Sequence, residues 1–215
     1  MSSSVMKRAA ALVLAFVVLG VLGAGQAAAS PAGAAVSAKG GTERSATLED
    51  EILRALNQVR AANGLRPLKP SDALHSAAAG HSAALLGAGV FQHESPDGTA
   101  FDARIRRDYS TRGFSSWSVG ENLLSTTSTL SAAEAVRLWM KSPPHRRNIL
   151  APEWRDAGIG AVYTASATGA FGARTAWVVT LDFGVRTGVS ATISGRARDG
   201  AQTTKRLPAD ATRRP

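Results

Sequence analysis

Residues 157–164 read "AGIGAVYT" and residues 175–184 read "TAWVVTLDFG". Both are short, rich in β-branched and aromatic residues, and separated by a glycine-containing stretch, which is the composition of two strands joined by a turn. Gly158 and Gly160 in "GIG" are read as points of close packing, because no helix follows them as a dinucleotide fingerprint requires. Further back, "FSSWSVGENLL" (114–124) is again β-prone, whereas the segments before it are helical in pattern. Helices gathered early and strands late predict an α+β domain, an antiparallel sheet covered by helices.

The helices announce their ends. Thr47 and Asp50 have capping-box-like spacing ahead of Leu48, Ile52, Leu56 and Val59, which recur at helical intervals. "NGLRPLKP" (63–70) stops that helix, since Gly64 accepts a left-handed cap and Pro67 and Pro70 cannot continue it. Ser71 and Asp72 start a second helix whose apolar stripe is Leu74, Ala77, Ala78, His81, Ala84 and Leu85. Thr99 is expected to cap a short third helix, "FDARIRRD" (101–108). Ser131 with Glu134 is a complete capping box for "AAEAVRLWMK" (132–141), and Pro143 is expected to end that helix. His81 reads as a core histidine and His75 as peripheral; Trp139, Trp154 and Trp177 read as core, and Trp117, set among serines, as exposed.

Composition narrows the function classes. Hydrophobic residues make up 44% of the 215 and charged residues 19%, so the chain can build a core. There is no cysteine, which excludes thiol catalysis and thiolate metal ligation. Residues 1–29 place Lys7 and Arg8 before the apolar run "AALVLAFVVLGVLGAG", with small residues at Ala27 and Ala29. This order predicts a signal peptide and a secreted protein, the apolar run being shorter than the ~20 residues a membrane span needs. Residues 30–46 read as a flexible linker. The net charge of +9 is unevenly placed: residues 48–184 carry 14 basic and 13 acidic side chains, whereas residues 185–215 carry seven basic and two acidic. No specific nucleic-acid binding is therefore expected, and the basic tail 185–215 is a candidate contact for an anionic cell wall or membrane.

Five segments together resemble a known family: residues 56–105, "VGENLL" (119–124), "AVRLWMKSPPHRRNIL" (135–150), "DAGIGAVY" (156–163) and "WVVTLDFG" (177–184). Their order and approximate spacing are similar to those of bacterial CAP-superfamily domains, relatives of the cysteine-rich secretory, antigen 5 and pathogenesis-related proteins, also called the SCP domain. The resemblance spans residues 47–184. It implies an α-β-α sandwich with a central antiparallel sheet and a cleft that carries two histidines and two acids, a set that binds a divalent cation in some members. Matched by motif, the histidines are His93 in "FQHESPDG" and His145 in "SPPHRRNIL", and the first acid is Glu121 in "GEN". Lys141 and Ser142 occupy the place of the second acid, which reduces the tetrad to a triad.

Three function classes follow from that resemblance. The first is a non-enzymatic, monomeric protein that binds a partner through the His/Glu cleft; lipid or sterol association among eukaryotic relatives permits a small hydrophobic ligand. The second is a metal-assisted hydrolase in which His93, Glu121 and His145 surround a Zn, Mg or Ca ion or its water, with Glu121 as general base or orienter. The third is a structural wall component attached by its basic tail. Arg146 and Arg147 favour neutral, ligating His145 and also repel a cation, so their two effects oppose each other.

Overall fold

The computed structural model describes residues 41–189. The expected signal peptide, most of the linker and residues 190–215 of the tail lie outside them. Elements run in the order β1 (Thr42–Arg44), α1 (Ala46–Ala62), β2 (Lys69–Pro70), α2 (Asp72–Ala88), α3 (Phe101–Asp108), β3 (Phe114–Thr126), α4 (Ala132–Lys141), α5 (Pro143–Ile149), β4 (Asp156–Thr164) and β5 (Ala176–Val189). The sheet order is β1-β4-β5-β3, antiparallel throughout this path, and the two residues of β2 add a parallel bridge to β4. Helices cover both faces of this sheet, so the fold is the α-β-α sandwich.

The period of two along β5 builds both layers at once. Val179, Leu181 and Phe183 enter the core beneath α1 and α4, together with Ile52, Leu56 and Trp139. The alternate residues face α2 and α3: Val178 packs with Leu85 and Leu123, and Thr180 hydrogen-bonds Ser82 Oγ at 2.8 Å. On β4, Gly158 and Gly160 face α2. A Cβ on Gly158 would lie 2.1 Å from the His75 backbone nitrogen, and one on Gly160 2.3 Å from the Ala79 Cα. Helix and strand backbones therefore touch directly, the close packing that "GIG" suggested.

Several boundaries move. Residues 42–46, placed in the linker, form β1 and the start of α1; Ser45 caps that helix, accepting from Leu48 N at 3.4 Å, in place of Thr47. The sheet continues past residue 184, because β5 pairs with β3 as far as Val189 opposite Phe114. Ala100 occupies the cap position of α3 without a side-chain bond, Thr99 being held by Asp97. On α2, Ala84 is exposed while Ser82 and Leu86 are buried. Ser131 caps α4, but Glu134 pairs with Arg137 rather than closing the box. The prolines after Lys141 do end α4, and they also begin α5, since proline is favoured in a first turn where the missing N–H has no partner to lose. His145 therefore sits on a helix, not in a loop. Trp117 is half-buried beneath the Arg106 guanidinium, 4.7 Å from its ring centroid.

Candidate functional site

Glu121 lies in the middle of β3, not at a strand end, and its carboxylate is buried at 1% side-chain exposure. His93 Nδ1 lies 2.6 Å from Oε1, and the Arg104 guanidinium donates to Oε2. Arg104 also reaches the His93 carbonyl oxygen at 3.3 Å, so one side chain of α3 ties the His93 loop to the sheet. Burial works to raise the Glu121 carboxyl; the His93 hydrogen bond and the Arg104 charge outweigh it and hold the group below the ordinary carboxylate range. An ionised Glu121 only accepts, so His93 carries its proton on Nδ1.

The strand register supplies a second acid that "GEN" does not reveal. Asp182 of β5 stands directly opposite Glu121. It is fully buried, and its nearest cation is Arg104 at 3.8 Å. Burial, reinforced by the Glu121 charge, pushes Asp182 well above its usual value, and Arg104 only partly opposes this. One cation between two facing acids is balanced when one acid keeps its proton, and Asp182 is that acid.

Two further histidines flank the cluster. His81 of α2 is buried, and its Nε2 donates to the Gln92 carbonyl oxygen at 3.2 Å, anchoring the loop one residue before His93. Burial first, with the Arg104 and His93 charges, lowers its pKa to about 4 against the pull of Glu121, so it is neutral at pH 7. His145 approaches from α5 and is half-buried. Burial and then the His93 charge lower it to about 4, so it too is neutral, and the Arg146 and Arg147 charges are not the cause expected from sequence.

Helix α5 is fixed to the site from three directions. Asn122 Nδ2 donates to the His145 carbonyl oxygen at 3.1 Å, Asn148 Nδ2 donates to the Glu121 carbonyl oxygen at 3.2 Å, and Trp154 Nε1 donates to Asn148 Oδ1 at 3.1 Å. Gly120 leaves room for this crossing, because a Cβ there would lie 2.9 Å from both Asn148 Oδ1 and the Trp154 ring. Buried Arg60 of α1 closes the far end, donating to the carbonyl oxygens of Ile149 at 2.6 Å and Ala151 at 3.0 Å.

The structure thus joins His93 directly to Glu121 and brings His145 within range of the His93 charge. It does not arrange them as a ligand set: among the described residues no group of three or more His, Asp or Glu is placed to hold a metal ion. The donor chemistry explains why. Both Glu121 oxygens are engaged, one by a guanidinium that would repel a cation, so the three residues do not fit Zn, Mg or Ca as they stand.

Comparison with known proteins agrees with this architecture. The family model for the cysteine-rich secretory protein family, CAP, matches residues 53–183. The chain belongs to that family. It is 32% identical over 119 residues to the uncharacterized protein YkwD of Bacillus subtilis (strain 168), covering 55% of this chain and 44% of YkwD. Among solved structures, an extracellular SCP-domain protein from Bacillus anthracis str. Ames matches with a TM-score of 0.50 at 23% identity, over 64% of this chain and 40% of that one. An outer surface protein of Borrelia burgdorferi matches with a TM-score of 0.55 at 19% identity, over 69% of this chain and 100% of that one. This chain spans less than half the length of YkwD and of the Bacillus anthracis protein. The two structures bear on the fold alone.

Proposed function

We propose that the protein is exported and binds an envelope component through the surface around His93 and His145 without transforming it. The observation that carries this reading is the state of Glu121, whose two oxygens are both committed to holding His93 and Arg104. A carboxylate so engaged is a fastening that presents two imidazoles on a rigid base, and it is poorly placed to take a proton from water. The basic, apolar, small-residue order of residues 1–29 supports export. Residues 190–215, with six basic and two acidic side chains, add a screened attraction to an anionic wall.

The test is co-sedimentation of the purified protein with bacterial wall sacculi, with the supernatant assayed for released fragments. The protein pellets, nothing soluble is released, and His93→Ala/His145→Ala weakens retention roughly thirtyfold, as two lost contacts of about 1 kcal/mol each imply. Absence of retention, or retention indifferent to both histidines, defeats the binding reading. Release of fragments that disappears in Glu121→Gln establishes a hydrolase instead.

A further inference from the structure

The two edges of the sheet are closed differently. At β3 the outward carbonyl oxygens of Glu121 and Leu123 are taken by Asn148 Nδ2 and Trp139 Nε1. At β4 the edge is covered by β1 at one end and by β2 at the other. Ser45 N donates to the Ala161 carbonyl oxygen and Ala161 N donates to Glu49 Oε1, each at 3.0 Å, while Ser71 N donates to the Ala157 carbonyl oxygen at 2.9 Å. Backbone groups of an antiparallel strand alternate between its two sides, so Ile159, midway between Ala157 and Ala161, turns its N–H and C=O to this same edge. Among the described residues neither group meets a partner. Ile159 is 4% exposed, and a nearly buried donor and acceptor left unpaired are costly.

Ile159 lines a cavity of about 340 Å³, within the size range of sites that hold small organic ligands. The N-terminal turns of two helices wall it, with Glu49 and Asp50 on α1 and Asp72 and His75 on α2. Glu49 is already engaged: besides Ala161 N it has His75 Nε2 at 3.2 Å and Arg44 Nε at 3.5 Å. Asp50 and Asp72 are exposed and, among the described residues, form no salt bridge. The lining therefore carries three carboxylates against the single guanidinium of Arg44.

We propose that this gap in the sheet binds a short cationic peptide, whose backbone pairs with Ile159 as a further piece of strand and whose ammonium group is held by Asp50 and Asp72. An extended peptide offers an acceptor and a donor on one side, the complement of the Ile159 N–H and C=O. Four strand steps separate Ala157 from Ala161, about 13 Å, which is room for two or three extended residues. A bare amine answers the carboxylates and leaves Ile159 unpaired; an acidic peptide answers Ile159 and is repelled by the carboxylates. The gap shares no residue with the surface around His93, Glu121 and His145, so the two stand or fall separately.

The experiment is a nuclear magnetic resonance titration of the ¹⁵N-labelled protein with the tripeptide alanyl-lysyl-alanine, read at the Ile159 amide. The controls are alanyl-glutamyl-alanine, which keeps the backbone and reverses the charge, and butylamine, which keeps the charge and lacks the amide. The lysyl peptide shifts the Ile159 amide saturably and binds at least tenfold more tightly than either control. Asp50→Asn/Asp72→Asn weakens it roughly five- to tenfold. Ala46 is exposed and lines the cavity, so Ala46→Trp fills the space and abolishes the shift while the circular dichroism spectrum is unchanged. His93→Ala/His145→Ala leaves the titration as it was. The proposal is overturned if the Ile159 amide does not respond, if either control binds as tightly as the lysyl peptide, or if Ala46→Trp retains full affinity.

Discussion

Replacing Arg104 with Met removes the cation from between two buried acids while keeping much of the side chain's volume. Glu121 is then left ionised at 1% exposure, with His93 as its remaining partner. Breaking a buried ion pair on one side costs about 3–5 kcal/mol. Protonation sets a ceiling on the charge part of that cost: neutralising a carboxyl of ordinary value 4.5 at pH 7 takes roughly 3 kcal/mol, at about 1.4 kcal/mol per pH unit. Loss of the donation to the His93 carbonyl adds about 1 kcal/mol. Arg104→Met is therefore expected to lose roughly 4 kcal/mol at pH 7, a fall in Tm of about 10 °C for a domain of this size. Near pH 4.5 the loss should shrink to about 1 kcal/mol, because Glu121 then takes up its proton at little cost. Urea unfolding followed by tryptophan fluorescence at both pH values measures this. Pairing the change with Glu121→Gln closes a double-mutant cycle whose coupling should be about 3 kcal/mol. A loss at pH 7 under about 1 kcal/mol, or one that does not change with pH, would refute the claim that Arg104 neutralises an ionised Glu121.

His81 makes acid unfolding partly predictable. Its value falls from 6.5 to about 4 on folding, so between these limits the unfolded chain binds a proton that the folded one refuses; stability present above pH 6.5 is lost as pH falls towards 4, by roughly 3 kcal/mol. Comparing wild type with His81→Gln across that window isolates the effect, since His145 in the same direction and Asp182 in the opposite one act in both proteins; parallel stability curves would show that His81 does not titrate this way. At the helix–strand crossing, Gly160→Ala drives a methyl to 2.3 Å from the Ala79 Cα and should cost roughly 3 kcal/mol or more in urea unfolding, whereas a loss within 1 kcal/mol would mean that α2 can lift off β4 cheaply.

Local physics was legible in the chain itself. Ser71 and Ser131 cap the helices they precede, Gly64 turns with φ 69° after α1, and the period-two pattern of "TAWVVTLDFG" divides β5 between two cores. These depend on neighbours a few residues away, so sequence spacing contains them. His93 and Glu121 were put in one cleft by the family resemblance alone, since no local spacing links them. The two residues that decide how that pair behaves come from 17 and 61 positions away from Glu121 along the chain, Arg104 and Asp182. A signal for each was present. Arg104 shares the buried side of α3 with Phe101 and Ile105, where a charge needs a partner, and Asp182 falls on the face of β5 opposite to Leu181 and Phe183. Neither signal names the partner, because an ion pair between a helix and a strand depends on which layer covers which face. Likewise "SPPHRRNIL" shows where α4 must stop but not that its prolines open a new helix. Only the tertiary fold, through Arg60, Asn122 and Asn148, turns His145 towards the sheet and Arg146 and Arg147 towards water.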